Sequence, residues 1–191
     1  MNKRIDVMVD IETLGKASDA TIFQIAAIAF DIETGEHLAK FNQIANIEEE
    51  TYLRVDGSTL KWWLNTNKEL LTELLNKGKG TPEELLENFH KWLTFISDDT
   101  KNIHLWGNGI LFDNKMIQQQ LDDAYLGYPI YYKNDRDVRT LVDLAGKKLG
   151  ITEKELKDKY NDDTLTHHDA FDDVKYQINL VVGCYNLLIN N

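Results

Sequence analysis

Four carboxylates and one histidine, spread over three segments, are the residues of this chain best suited to chemistry. Asp10 and Glu12 lie in VMVDIETLG, Asp113 lies in WGNGILFDN, and His168 and Asp173 lie in HDAFDD. Carboxylate oxygens bind hard divalent cations such as Mg²⁺ and Mn²⁺, and a nearby histidine can take a proton from a bound water. These residue types suit the hydrolysis of a phosphodiester by a water molecule that two cations activate. We expect the three segments to converge in the fold.

The acidic pair Asp10 and Glu12 closes a predicted strand. Residues 5–11 form an apolar, largely β-branched run, which is typical of a buried strand. Side chains alternate along a strand, so the two carboxylates share one face, where they repel each other unless a cation lies between them. A solvent-exposed strand end is the simpler explanation, but the apolar flanks favour a central strand and a metal site.

Asp113 and His168 each have a second possible explanation. Asp113 precedes a predicted helix and could be its N-cap, although strand ends at the crevice of an α/β sheet also bind ligands. His168 and Asp173 are five residues apart, which separates them by ~140° around a helix. We therefore expect His168 in the loop or first turn and Asp173 on the helix body. His167 would be the base if the register shifted by one residue.

Composition and charge narrow the classes of protein. The chain has 191 residues and a formal net charge of −11, which disfavours extended binding to a polyanion because phosphate contacts come from Lys and Arg. Bound cations would cancel part of this charge, and loose binding suits short single-stranded ends better than long duplexes. The one cysteine, Cys184, lies in an apolar run and is predicted to be a buried helix residue.

We expect one domain over residues 1–191, located in the cytoplasm. A single cysteine gives no disulfide framework, which fits a reducing compartment. Asp6 and Asp10 interrupt the N-terminal apolar stretch, so no signal peptide is predicted. No apolar run reaches the ~18 residues of a membrane span, so no membrane partner is expected.

Hydrophobic periodicity predicts an α/β fold with a mixed sheet. Strands are predicted over 5–11, 22–30 and 37–43, as an antiparallel meander, and over 103–106. Helices are predicted to start at 81–84, to cover 114–126 and 138–149, and to run from a capping box at Thr166 and Asp169 to about residue 189.

The order of the acidic residues and the histidine is similar to that of a known family. Asp-x-Glu, then Asp, then His-x-Ala-x-x-Asp resembles the DEDDh exonucleases of the ribonuclease H-like superfamily, over essentially the whole chain. Further segments resemble small phage and prophage exonucleases, labelled exonuclease VIII-like, and the bacteriophage exonuclease A type. They are TLKWW at 59–63, WGNGILFDN at 106–114 and NDRDVRT at 134–140.

This resemblance implies both a fold and a reaction. The implied fold is ribonuclease H-like, with a mixed five-stranded sheet of antiparallel and parallel strands flanked by helices. The implied activity is 3′→5′ hydrolysis at the 3′ ends of nucleic acid, releasing nucleoside 5′-monophosphates. Asp10, Glu12, Asp113 and Asp173 would hold two Mg²⁺ or Mn²⁺, and His168 would activate the water.

Substrate and setting follow from the same resemblance. The phage-type segments favour single-stranded DNA as the substrate, in the cytoplasm of a phage host or of a bacterium. RNA 3′ ends or overhangs are the alternative substrate. An inactive nucleic-acid-binding relative and a ribonuclease H-like endonuclease are the alternative functions. The oligomeric state stays open, a homodimer included.

Candidate substrate contacts surround the acidic residues. By resemblance, Thr13 and Leu14 would bond the terminal sugar and wedge the last base, and Phe112 offers a stacking face. Trp62 and Trp63 are helical neighbours that cannot both point inward, so one is expected in the core and the other on a base. Trp63 is the candidate for the base contact, and Trp62 is its open alternative.

Three polar residues complete the set of candidates. Arg136 and Arg139 could clamp a phosphate, although ion pairs with Asp135 or Asp137 are an equal alternative. Asn108 lies in the loop before the middle Asp, where the spacing is one residue longer than in many members of the family. That difference leaves the assignment of Asp113 unaffected.

Overall fold

Five strands form one mixed sheet in the computed structural model, which describes residues 4–190. The strands are β1 (Ile5–Thr13), β2 (Ile22–Phe30), β3 (His37–Ile44), β4 (Ile103–Gly107) and β5 (Asp135–Asp137). Their order across the sheet is β3-β2-β1-β4-β5. The first three strands pair antiparallel, whereas β4 pairs parallel with β1 and with β5. The predicted meander joined to parallel strands is therefore confirmed.

Seven α-helices flank this sheet within the described residues. They are α1 (Gly57–Thr66), α2 (Lys68–Lys77), α3 (Pro82–Phe95), α4 (Asp113–Asp123), α5 (Val138–Leu149), α6 (Glu153–Lys159) and α7 (Ala170–Ile189). A capping box between Thr81 and Glu84 starts α3, and Gly150 ends α5 in the left-handed conformation that glycine adopts without strain. The predicted Thr166 cap is wrong, because Asp169 accepts the first free N–H groups of α7. No helix in the described part of the chain could cross a membrane.

Two hydrophobic cores, one on each face of the sheet, set the direction of the β1 side chains. Val7, Val9 and Ile11 pack into the core that α3 and α4 cover. Met8 packs into the opposite core, which α5 and α7 cover. Because side chains alternate along a strand, Asp10 and Glu12 lie on the Met8 face, toward α7. The first acidic pair is thus aimed at the helix that carries the last predicted carboxylate.

An open edge of β1 creates the crevice in which the site lies. β4 pairs with β1 only from Ile5 to Met8, although β1 continues to Thr13. The loop after β4 and the start of α4 fill this position instead. The Asp113 carboxylate accepts hydrogen bonds from its own backbone N–H and from that of Ile11, on the open edge. The end of a parallel strand beside a topological switch is where ligands bind in such sheets.

Candidate active site

The three acidic segments converge at this crevice. Carboxylate oxygens of Asp10 and Glu12, from β1, and of Asp173, from α7, all lie within 4.8 Å of one another. Asp113, at the first position of α4, lines the same cavity of about 390 Å³. This space, which we call the carboxylate cavity, is also lined by His167, His168, Asn108, Phe112, Arg139, Tyr176, Gln177 and Ile11. Side chains more than 160 positions apart thus face one another.

Burial makes these carboxylates hard to ionise without a counter-charge. The pKa values of Asp10 and Glu12 are raised well above their ordinary range, first by burial and then by the neighbouring carboxylates. Burial also raises the pKa of Asp113 to about 7 and raises the pKa of Asp173. Several oxygen ligands that converge in one cavity, with Arg139 as the one guanidinium in its described lining, fit a divalent cation. The described residues are therefore compatible with a divalent metal site.

The alternative explanation of Asp113, that it is the N-cap of α4, is wrong. The N-cap residue is Phe112, which offers no side-chain cap, and Asp113 is the first residue of the helix. The residue is 5% exposed, its carboxylate accepts from the Ile11 N–H of β1, and Arg139 opposes the rise in its pKa. The side chain is therefore aimed across the crevice at the acidic pair.

His168 lies outside α7, as its spacing from Asp173 predicts. Its backbone is in the left-handed region at φ 68°, which is uncommon for a residue with a side chain. The His168 N–H donates to Asp173 Oδ2 at 3.1 Å, which links the loop to the acidic cluster. Nδ1 of His167 lies 3.9 Å from Asp173 Oδ1, so both histidines border the cavity.

Gln177 is a site residue that the sequence reasoning missed. Its Nε2 donates to Asp10 Oδ1 at 2.8 Å, while its buried Oε1 has no hydrogen-bond partner among the described residues. Gln177 is four residues after Asp173, so both side chains lie on the same face of α7. That spacing was readable from the sequence once Asp173 was assigned.

Asn114 and Gly107 hold the start of α4 against the sheet. Asn114 Nδ2 donates to the Leu105 carbonyl at 3.1 Å and to Asp135 Oδ1 at 2.7 Å. Gly107 packs so closely that a Cβ there would overlap Asn114 Oδ1. This contact fixes the residue that directly follows Asp113.

A second cavity, of about 630 Å³, adjoins the first. We call it the tryptophan cavity; its lining comprises Ile11, Glu12, Thr13, Gly15, Lys16, Ser58, Thr59, Trp62, Trp63, Phe112 and Arg139. Of the predicted substrate contacts, Phe112 and Arg139 border both cavities, Thr13 borders the second, and Asn108 borders the first. Phe112 is 36% exposed and can present its ring to a ligand. The Thr13 hydroxyl donates to the Gly15 carbonyl at 2.7 Å.

Three predicted substrate contacts are either nearly fully buried or lie outside both cavities. Leu14 is 3% exposed, because α1 and α2 pack over it in a core at the end of β1. Trp63 is 1% exposed, and its Nε1–H donates to the Thr13 carbonyl, so the exposed ring is that of Trp62 instead. Arg136 lines neither cavity; its guanidinium donates to the carbonyl of Lys133, in the turn before β5, and to that of Asp135, the first residue of β5.

The sheet order is that of a ribonuclease H-like fold, the class of fold that solved exonuclease structures share with this chain. The nuclease domain of 3′hExo, a DEDDh family member bound to rAMP, superposes with a TM-score of 0.62 at 14% identity, over 96% of this chain and 92% of that one. The zinc-bound E. coli ExoI–ssDNA complex gives a TM-score of 0.66 at 17% identity, over 92% of this chain. The present chain spans only 39% of that ExoI chain. At such identities the likeness establishes the shared fold.

The chain belongs to the family described as the 3′-5′ exoribonuclease Rv2179c-like domain, whose model matches residues 5–185. A curated relative is the exodeoxyribonuclease of Enterobacteria phage T4, which is 23% identical over 93% of this chain and 91% of its own length. The expected exonuclease class is thus confirmed, whereas the relatives are named for both DNA and RNA.

Proposed function

We propose that this protein removes nucleotides one at a time from the 3′ end of single-stranded DNA, releasing nucleoside 5′-monophosphates by hydrolysis supported by two divalent cations. One observation carries the proposal. Asp10, Glu12, Asp113, Asp173 and His168, drawn from three distant segments, line one cavity of about 390 Å³. Their types and placement match the demands of phosphodiester hydrolysis better than those of passive binding.

The chemistry divides between the cations and the side chains. Two bound cations would lower the pKa of the attacking water and stabilise the leaving 3′-oxygen. Asp10, Glu12, Asp113 and Asp173 would supply the oxygen ligands, and Gln177 orients the carboxylate of Asp10 through its 2.8 Å hydrogen bond. His168 takes the proton from the attacking water, a contribution of typically ~10²–10⁴-fold in rate.

The tryptophan cavity supports cutting at an end rather than within a strand. It meets the carboxylate cavity at Glu12 and Phe112, and its inner wall is the buried Trp63. Its volume lies in the range of small-ligand sites, which suits one terminal nucleoside. Helix α1 supplies Ser58, Thr59, Trp62 and Trp63 to this lining and so closes one side of the cavity, which favours a free 3′ end over a continuing strand.

Named relatives support two candidate substrates. The phage T4 relative, matched over nearly its whole length, is named an exodeoxyribonuclease and favours DNA. The description of the family as exoribonuclease-like favours RNA 3′ ends, which we keep as the second candidate. The choice depends on whether a side chain contacts or excludes the 2′-hydroxyl.

Matched oligonucleotides test the activity and the substrate together. DNA and RNA of one sequence, labelled at the 5′ end, would be incubated with the protein and Mg²⁺ or Mn²⁺, both single-stranded and with 3′ overhangs. We expect a ladder that shortens from the 3′ end, faster for single-stranded DNA, and absent with EDTA or with Asp113→Asn. Internal fragments would indicate an endonuclease, and binding without cleavage would indicate an inactive relative.

Cation stoichiometry tests the mechanism separately. Calorimetric titration of the wild-type protein with Mn²⁺ should give two sites, and Asp113→Asn should lose affinity at one or both. Asp122→Asn, an exposed change on the same helix, is the matched control. A single site in the wild-type protein, measured with a non-cleavable oligonucleotide present, would contradict the two-cation arrangement.

A further inference from the structure

The indole of Trp62 lies between the two cavities and contacts the predicted general base. The Trp62 and His168 rings meet edge to face, with centroids 5.0 Å apart and planes at 86°. Trp62 lines the tryptophan cavity, and His168 lines the carboxylate cavity. Edge-to-face contact is a preferred geometry of aromatic ring pairs, so it favours a defined orientation of the imidazole.

The position of Trp62 is set by its buried neighbour. Trp63 is anchored in the core by its hydrogen bond to the Thr13 carbonyl at 3.2 Å and by the Phe23 ring, 5.9 Å away. Trp62 packs edge-on against Trp63 at 5.1 Å. A short chain of contacts therefore runs from the end of β1, beside Glu12, to the His168 ring.

The His168 loop has few other restraints on the side where α1 lies. His168 itself has a left-handed backbone, and its N–H is held by Asp173. Asn67, just after α1, donates to the His167 carbonyl at 3.4 Å. Helix α1 thus supports the loop at two points, the Asn67 amide holding its backbone and the Trp62 indole contacting the imidazole ring.

We propose that Trp62 is a positioning residue for His168: one indole forms a wall of the tryptophan cavity and holds the imidazole in the carboxylate cavity. Trp62 is 40% exposed, so a nucleoside in the tryptophan cavity contacts the same side chain. Substrate contact and placement of the base are thereby joined in one residue. The inference rests on the proposed function, since it assigns His168 its role in proton transfer.

A double-mutant cycle separates positioning from stacking on the substrate. Trp62→Ala should lower kcat ~10-fold or more in the wild-type background, since small displacements of a catalytic group are costly. In the His168→Ala background the same change should lower kcat less than ~2-fold, because residues acting as a unit are not additive. Trp62→Phe, which keeps an aromatic ring, should recover most of kcat. An equal rise of KM in both backgrounds, with kcat unchanged, would overturn the proposal.

A spectroscopic measurement tests the contact without metal or substrate. Carbon–proton NMR spectra of the His168 imidazole should shift in Trp62→Ala, because the ring current of the indole is removed. Leu64→Ala, an exposed change on α1 that lines neither cavity, is the matched control and should leave them unchanged. Circular dichroism verifies that each variant is folded. Unshifted His168 resonances overturn the positioning role, whereas a wild-type protein that cuts no oligonucleotide overturns the proposed function.

Discussion

Replacing Asp113 by Asn should stabilise the metal-free protein at alkaline pH while abolishing its activity. Burial raises the pKa of Asp113 from 3.8 to about 7. A raised pKa means that the folded state holds the proton more tightly than the unfolded state does. The resulting stabilisation is fully present below pH 3.8 and is lost as the pH rises through about 7. At pH 8 the carboxylate is therefore charged and costly in the folded protein.

The size of this effect follows from the two pKa values. The interval from 3.8 to about 7 corresponds to a ceiling of ~4 kcal/mol in the free energy of unfolding. Because Asp113 borders a cavity open to water, we expect about half of that ceiling, ~2 kcal/mol, or ~4–8 °C in Tm for a domain of this size. The neutral amide of Asn keeps an oxygen that can accept from Ile11, so the hydrogen bond across the crevice survives.

Thermal unfolding in EDTA at pH 6 and at pH 8 measures the effect. The wild-type Tm should decrease from pH 6 to pH 8. The Tm of Asp113→Asn should decrease less over this range and should be higher than the wild-type Tm at pH 8. Mn²⁺ at a hundredfold excess over its dissociation constant should stabilise the wild-type protein by ~2.7 kcal/mol and the variant by less. Asp122→Asn controls for a simple loss of surface charge. If Asp113→Asn melts below the wild-type protein in EDTA at pH 8, the electrostatic account of the site is refuted.

Three further changes test other parts of the site. His168→Ala should lower kcat ~10²–10⁴-fold while keeping the rise of Tm with Mn²⁺, so near-normal turnover would contradict its role as base. Gly107→Ala should reduce both kcat and Tm, because the new methyl group overlaps Asn114; Gly57→Ala, which meets nothing within 4 Å, should not. Gln177→Leu should weaken Mn²⁺ binding ~10–100-fold in calorimetric titration, because the Asp10 carboxylate loses the hydrogen bond that orients it. An unchanged affinity would show that Gln177 has no role in metal binding.

Local sequence patterns predicted those features that depend on the geometry of a single element. Alternation along β1 placed Asp10 and Glu12 on one face, and the structure aims that face at α7. The five-residue separation of His168 and Asp173 predicted that the histidine precedes the helix, as it does. Such inferences hold because strand and helix periodicity are properties of the backbone itself.

Features that depend on long-range packing were not predictable in this way. Leu14 is adjacent to a predicted substrate contact, but its burial is decided by α1 and α2, which pack on the end of β1. Strand β5 has the sequence Asp-Arg-Asp, without an apolar pattern, and it forms because it completes the edge of β4. The same pairing places Arg136 within β5, where its guanidinium donates to the Lys133 carbonyl of the preceding turn and lines neither cavity.

The dispersion of the acidic ligands along the chain has a consequence for biosynthesis. Two of the three tightly grouped carboxylates lie within the first dozen residues, whereas the third is carried by α7, which packs on β1, β2 and α5. Because synthesis proceeds from the N-terminus, a ribosome-bound chain has the sheet long before it has its last ligand. The protein would therefore cut nucleic acid only after α7 has packed on the sheet. An incompletely synthesised chain would leave nearby nucleic acid intact.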